Sequence, residues 1–371
     1  MPGSYLSRSW EVSSVPEATS SGGAGKGNRN PAIHADEKSD IPVLPRKLPN
    51  NGCCPAEAME GRGIAAGKAG GNPACRTQSR ESASMGLEGI RERAKQHRRE
   101  KFTALHHHLT PALLRQSFYK LRREAAAGVD GVTWRQYEEQ LGARIPRLHR
   151  QLQVGAYRAQ ASRRVYILKT DGKRRPLGIA ALEDKVVQQA VVTILSAIYE
   201  TDFLGFSYGF RPGRGQHDAL DAVWNGITGR KIGWILDADI SAFFDTIDHG
   251  WMMRFLGQRI ADRRLLRLIE KWLKAGVIEE GVRSASTRGT PQGAVISPLL
   301  ANIYLHYVFD LWAHRWRRQH ANGDVIVVRY ADDTIVGFQD EGEARAFLCA
   351  LQDRLRQFGL TIHPQKTRLI E

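Results

Sequence analysis

The sequence predicts an α+β fold in which helices pack on an antiparallel sheet. Three observations carry that expectation. Residues 325–338 read VIVVRYADDTIVGF, two mostly β-branched apolar runs around a short polar centre, which is the pattern of a buried hairpin. Residues 234–240 read WILDADI, with Trp234, Leu236, Ala238 and Ile240 on one face and Asp237 and Asp239 on the other, as a strand requires. Around these strands lie long segments whose apolar residues recur at three-to-four spacing, the period of a helix face.

Composition narrows the class. The chain has 371 residues, 42% hydrophobic and 25% charged, enough for a large core and for two or three domains. A net charge of +15 and a pI of about 9.9 favour a polyanionic partner, above all nucleic acid. No apolar run approaches the roughly 20 residues of a membrane span, and MPGSYLSRSW lacks the apolar core of a signal peptide. A cytoplasmic protein without a membrane partner is expected. Cys53, Cys54, Cys75 and Cys349 match no zinc spacing, so reduced thiols are expected.

In chain order, residues 1–84 are rich in Gly, Pro, Ser, Asn and Ala without apolar periodicity. Such a segment is expected to be disordered, because it cannot offset its ordering entropy. GGAGKG and GIAAGKA within it lack the hydroxyl residue, glycine spacing and preceding strand of a phosphate-binding loop. Helical sequence begins near Leu87, and IRERAKQHRREKF is basic enough to face solvent or RNA. His106, His107 and His108 point in different directions on a helix and make a poor metal site. Thr110-Pro111 reads as an N-cap followed by Pro at the first helical position, and residues 134–152 read as helix again. Residues 163–180, RRVYILKTDGKRRPLGIA, read as a basic hairpin turning at Asp171-Gly172, suited either to gripping phosphates or to a solvated turn. Residues 183–199 form a helix with Val187, Ala190, Val191, Ile194 and Ile198 on its core face.

FSYGFRPGRG at 206–215 interleaves aromatics, glycine and arginine, either to stack bases or to pin a structural loop. Val277 to Val282 suggests a small hairpin ahead of GTPQG at 289–293. Ser297-Pro298 opens a long helix, with Ser as cap and Leu299, Ile303, Tyr307 and Leu311 recurring at three-to-four spacing. A further helix spans about 343–358, Gly359 ends it, and residues 360–362 form a short strand before HPQKT.

The chemistry concentrates in carboxylates. Asp332 and Asp333 at a hairpin tip, with Asp239 at a strand end, make a hard, oxygen-rich set that suits Mg²⁺. Two such ions about 4 Å apart stabilise the attacking and leaving oxygens of nucleotidyl transfer.

The chain resembles the reverse transcriptase/maturases encoded by bacterial group II introns. The resemblance runs from about Asp36 to the C-terminus and is most specific from Gly128 onward. It rests on AAGVDGVTW, RRVYILKTDGKRRPLGI, FLGFSYGFRPGRGQHDAL, DADISAFFDTIDH, GTPQGAVISPLLANIYL, RYADD and FGLTIHPQKT, in the family's order. It implies a polymerase right hand whose fingers and palm occupy 156–371, incomplete, behind a basic helical N-terminal extension at 85–155. It implies RNA-directed DNA synthesis linked to intron splicing and mobility, with RNA template or intron RNA, DNA primer and dNTPs as partners. Asp239, Asp332 and Asp333 match the metal-binding aspartates, with the Ile240 carbonyl completing a two-Mg²⁺ site. Phe244 matches the gate against a ribose 2′-hydroxyl, and Gln292 the glutamine under the incoming nucleotide. Lys169 and Arg175 match triphosphate contacts, and Lys366 the proposed general acid. Family members continue past this lysine into a thumb and a maturase domain, so a truncated reading frame without a thumb is expected. A non-catalytic RNA-binding maturase remnant and a retron or defence-associated reverse transcriptase are the alternatives.

Overall fold

The computed structural model describes residues 86–168, 172 and 174–371. The expectations for residues 1–84, their three cysteines and their glycine–lysine sequences lie outside the described residues, as does Lys169.

The N-terminal part is helical: α1 (86–96), a 3₁₀ turn at His106–His108, α2 (Pro111–Tyr119), α3 (Trp134–Glu139) and α4 (Leu141–Gln153). Thr110 caps α2 as expected, its hydroxyl accepting from Leu113 N at 3.2 Å. The stretch read as one helix from 134 to 152 is two helices that meet at Gln140, the first opened by a Thr133–Gln136 capping box. Arg259 ties this part to the rest. Its guanidinium donates to the carbonyls of Ala94, at the end of α1, and of His97 and Glu100 in the turn that follows, at 3.3, 2.9 and 3.0 Å.

Two four-stranded sheets follow. The first has the order β2-β1-β4-β5, from β1 (Ser162–Leu168), β2 (Arg174–Ile179), β4 (Val277–Glu279) and β5 (Val282–Ser284). The expected small hairpin is β4–β5, turning through Glu280 and Gly281 at φ +48° and +82°, the left-handed pair that a tight hairpin needs. The second sheet has the order β6-β7-β3-β8, from β3 (Trp234–Ala238), β6 (Val325–Tyr330), β7 (Asp333–Phe338) and β8 (Arg368–Ile370). All its pairings are antiparallel, as the fold class anticipated. Residues 360–362 make only a bridge from Ile362 to Ile240; the strand lies further on, at β8, because there the chain runs in register with β3.

The intervening helices are α5 (Leu182–Asp202), α6 (Gln216–Gly229), α7 (Phe243–Thr246), α8 (His249–Arg259), α9 (Arg263–Lys274), α10 (Ser297–Leu305), α11 (Leu311–Gln319) and α12 (Glu341–Arg356). One hydrophobic core runs from Ile90 to Leu360 and takes in α5, β3, α10 and α12. The long helix expected from Ser297 is interrupted by a π turn at His306–Asp310. The wider turn shifts the helical phase, so Leu299 and Ile303 are buried while Leu311 reaches solvent. Ser297 does not cap: its hydroxyl bonds back to the Pro291 carbonyl at 2.9 Å and to Thr290 Oγ1 at 2.6 Å.

Asp184 on α5 is buried between the Tyr157 hydroxyl and the Gln160 amide. Burial pushes its carboxyl up to about 6. An acid raised on folding weakens the fold as pH climbs from its ordinary value, 3.8, through about 6. Across that window wild type is expected to lose about 2–3 kcal/mol relative to Asp184→Asn. Urea melts of both proteins at pH 4 and pH 7 read the difference; parallel curves would refute it.

Candidate active site

Strand register assembles the site. The β3–β7 ladder ends at Ala238 opposite Thr334, and the β6–β7 hairpin closes with Tyr330 opposite Asp333. Asp239, one residue past the last β3 pair, therefore reaches the same sheet end as Asp332 and Asp333. The hairpin turns tightly through Ala331, a buried residue at φ +58°. That is a left-handed conformation that alanine adopts at a cost.

The carboxylates feel one another. Burial raises the Asp332 carboxyl above its ordinary range, and Asp239 raises it further against the pull of Arg175 and Lys366. Asp333, although nearer the surface, is pushed up by desolvation and by Asp332, Asp239 and Asp237. Lys366 supplies the compensating charge: its Nζ lies 2.5 Å from Asp239 Oδ2 while the side chain remains 63% exposed. That hydrogen bond raises the Lys366 ammonium above its ordinary value. Asp237 neighbours this group from within β3, in register with Ile335 and Arg368.

A second wall comes from α7 and the GTPQG loop. Ala242, at φ +44°, turns the chain into α7 and places Phe244 at the edge of the site. The Phe244 ring meets Phe210 edge-on at 6.5 Å and Phe243 at 5.5 Å. Thr290 N donates to the Phe244 carbonyl at 2.8 Å. Gly289 sits at φ +79°, and a Cβ there would lie 2.9 Å from both the Phe244 and Asp245 carbonyls, so this approach requires glycine. Gln292 Oε1 accepts from Arg175 Nε at 2.8 Å, and the Gln292 carbonyl from Gly178 N at 2.6 Å. Two residues expected to hold the nucleotide thus meet, tying the β1–β2 hairpin to the loop. A cleft of about 310 Å³ opens beside them, lined by Arg164, Gly178, Asp245, Arg288 and Gln292 among others.

The structure decides what the FSYGF stretch does. Phe206 and Tyr208 are buried, with Tyr208 N donating to the Arg329 carbonyl at 2.8 Å and Arg329 N to the Phe206 carbonyl at 2.9 Å. They pin a structural loop and are not presented for base stacking; Phe210 alone of the three is exposed. Gly209 lies directly on the hairpin tip, where a Cβ would come within 2.2 Å of Ala331 N. Gly209→Ala is expected to displace the tip, costing about 1–3 kcal/mol of stability. Thermal melts check it; a wild-type melting temperature would refute the contact.

Sequence reasoning missed the groups behind the tip. Arg329 is fully buried on β6, paired with an equally buried Asp310 at 2.6 Å, and it also reaches Asn302 and Ser207. A signal was present, since a charge inside VIVVRY must find a buried partner. Spacing could not say which acid it was.

Among the described residues, no three histidine, cysteine or acidic side chains converge as a ready-made metal cage. The donor chemistry nonetheless fits Mg²⁺, which binds through one or two carboxylates and otherwise through substrate phosphates and water. Three carboxylates share one sheet end, two of them raised by burial and then by their neighbouring acids, and a lysine ammonium is paired with the third.

Residues 167–371 match the family described as reverse transcriptase (RNA-dependent DNA polymerase). The chain belongs to that family. Protein YkfC of Escherichia coli (strain K12) is 43% identical over 190 residues, 50% of this chain and 50% of YkfC. The group II intron-encoded protein LtrA of Lactococcus lactis subsp. cremoris is 37% identical over 222 residues, 59% of this chain and 37% of LtrA. A protein in the cob intron of Schizosaccharomyces pombe is 40% identical over 162 residues, 44% of this chain and 20% of its own length. The chain therefore spans half or less of the length of these relatives. No described helix is long and apolar enough to cross a membrane.

Proposed function

We propose that the chain is an RNA-directed DNA polymerase of the group II intron type, extending a DNA primer on an RNA template with dNTPs. The observation that carries this reading is the meeting of Asp239 with Asp332 and Asp333 at one sheet end, walled by Phe244 and by the Arg175–Gln292 pair. Asp239, Asp332, Asp333 and the Ile240 carbonyl would hold two Mg²⁺ ions, which supply charge stabilisation for the attacking and leaving oxygens. Arg175 and Lys169 bind the triphosphate, and Gln292 supports the incoming nucleotide. Phe244 fills the space a 2′-hydroxyl would need. Lys366, protonated at neutral pH, gives a proton to the departing pyrophosphate. The basic stretch at the end of α1 and just past it, with Lys95, Arg98, Arg99 and Lys101, faces RNA phosphates. A link to intron splicing and mobility belongs to this reading, and the likeness to LtrA, a group II intron-encoded protein, supports it. A cytoplasmic location goes with these partners.

Primer extension tests the reading. The full chain, an RNA template, a DNA primer and four dNTPs are expected to yield cDNA in Mg²⁺ and none after chelation. Tight binding of intron RNA with no extension in any divalent ion would instead establish the non-catalytic maturase remnant.

A further inference from the structure

Arg329 is placed as few arginines are. Both it and Asp310 are fully buried, and all five of its N–H donors find acceptors. Nε and Nη2 fork onto the Asp310 carboxylate at 2.6 and 2.7 Å. Nη2 also donates to Ser207 Oγ at 2.7 Å, and Nη1 to Asn302 Oδ1 at 3.0 Å. The last bond goes from Nη1 to the Ala331 carbonyl at 2.8 Å. Ala331 is the left-handed residue of the hairpin tip, and its carbonyl belongs to the peptide that begins Asp332. Asn302 carries the clamp further, donating from Nδ2 to the Gly209 carbonyl at 2.7 Å, beneath the glycine that packs on the tip. Asp310 is presented by the π turn that breaks the α10–α11 helix, and such turns are frequent at functional sites.

Stability does not account for this arrangement. A buried ion pair contributes no more to stability than well-packed apolar residues of the same volume. A rigid guanidinium fork specifies geometry, because it satisfies several acceptors only in one arrangement. We propose that Arg329, braced by Asp310, is a positioning residue: it holds the Ala331 carbonyl and so fixes where the Asp332 carboxylate stands for a divalent cation. The proposal rests on the polymerase reading of the site.

Two variants test it. Arg329→Lys keeps the charge against Asp310 but cannot reach all the acceptors. The double variant Arg329→Met/Asp310→Leu removes the pair without leaving a lone buried charge. Mn²⁺ affinity is measured by electron paramagnetic resonance without substrate, with Asp332→Ala as the blank, beside kcat and KM for dNTP. Loss of a group that orients a metal ligand lowers metal affinity or activity about 10–100-fold. That loss is expected in both variants for Mn²⁺ affinity and kcat, with KM for dNTP within about twofold of wild type. The double variant is expected to melt near wild type yet remain impaired, which a purely structural role would not produce. Either variant folded with wild-type Mn²⁺ affinity and kcat overturns the proposal. Failure of both to fold makes the pair a folding element and overturns it as well. A wild-type chain that binds Mn²⁺ through Asp332 but extends no primer defeats only the polymerase reading, and the Mn²⁺ comparison still decides the positioning role. A wild type with no Asp332-dependent Mn²⁺ binding removes the site and the proposal together.

Discussion

Asp332→Ala is expected to reduce dNTP incorporation at least about a thousandfold, since a metal ligand at the reacting phosphate is worth several kcal/mol of transition-state stabilisation. Single-turnover primer extension measures the loss; extension within tenfold of wild type would remove Asp332 from the metal site. The stability readout runs the other way. Burial and the neighbouring Asp239 hold the Asp332 carboxyl above its ordinary value of 3.8. An acid raised on folding opposes the fold once it ionises, so above that range the charged Asp332 works against the native state. Asp332→Asn, which removes the charge and keeps the shape, is therefore expected to melt no lower than wild type at pH 7 without divalent ions. Activity and stability move in opposite directions at this position, as they do where a fold concentrates like charge for a ligand. A lower melting temperature for Asp332→Asn would show that the carboxylate is structural.

Phe244→Ala is expected to lower the preference for dNTP over NTP by on the order of a hundredfold, with deoxynucleotide incorporation retained. Phe244 has little freedom to move aside. Phe210 and Phe243 pack against its ring, and the Gly289–Thr290 backbone lies on its carbonyl. Truncation therefore opens a space that the surrounding backbone cannot close. Because Phe244 is also largely buried, Phe244→Val serves as the milder variant, with a smaller shift in the same direction. Competition between dCTP and CTP on one template position reads the ratio. An unchanged ratio in a folded Phe244→Ala protein would end the gate assignment.

Much of the site could be read from residue order because its pieces are local patterns. VIVVRYADDTIVGF encodes a hairpin through its β-branched runs, which forms as read, and WILDADI encodes a strand that forms but ends at Ala238, two residues short of the reading. Thr110-Pro111 encodes a helix start by its own chemistry, and the structure shows that cap. Ser297-Pro298 has the same local form yet does not cap, because the Thr290–Pro291 loop competes for its hydroxyl. The three-to-four spacing through Leu311 is broken for a related reason. A π turn adds backbone where Asp310 must meet Arg329, and no periodicity rule anticipates a partner on another strand.

The sequence by itself determined most of the elements, the alternation that puts Asp237 and Asp239 on one face, and the carboxylate pair at a tight turn. Each depends on interactions among residues a few positions apart. Only the tertiary structure decided that β7 pairs with β3 so that three acids share one sheet end, and that Arg175 meets Gln292 across 117 residues. It also decided that Arg329 spends all its hydrogen bonds behind the hairpin tip. Those contacts are selected by burial, since a charge or an open hydrogen bond inside the core must be matched by whatever group the packing brings to it. The matching group is close in space and distant in the chain.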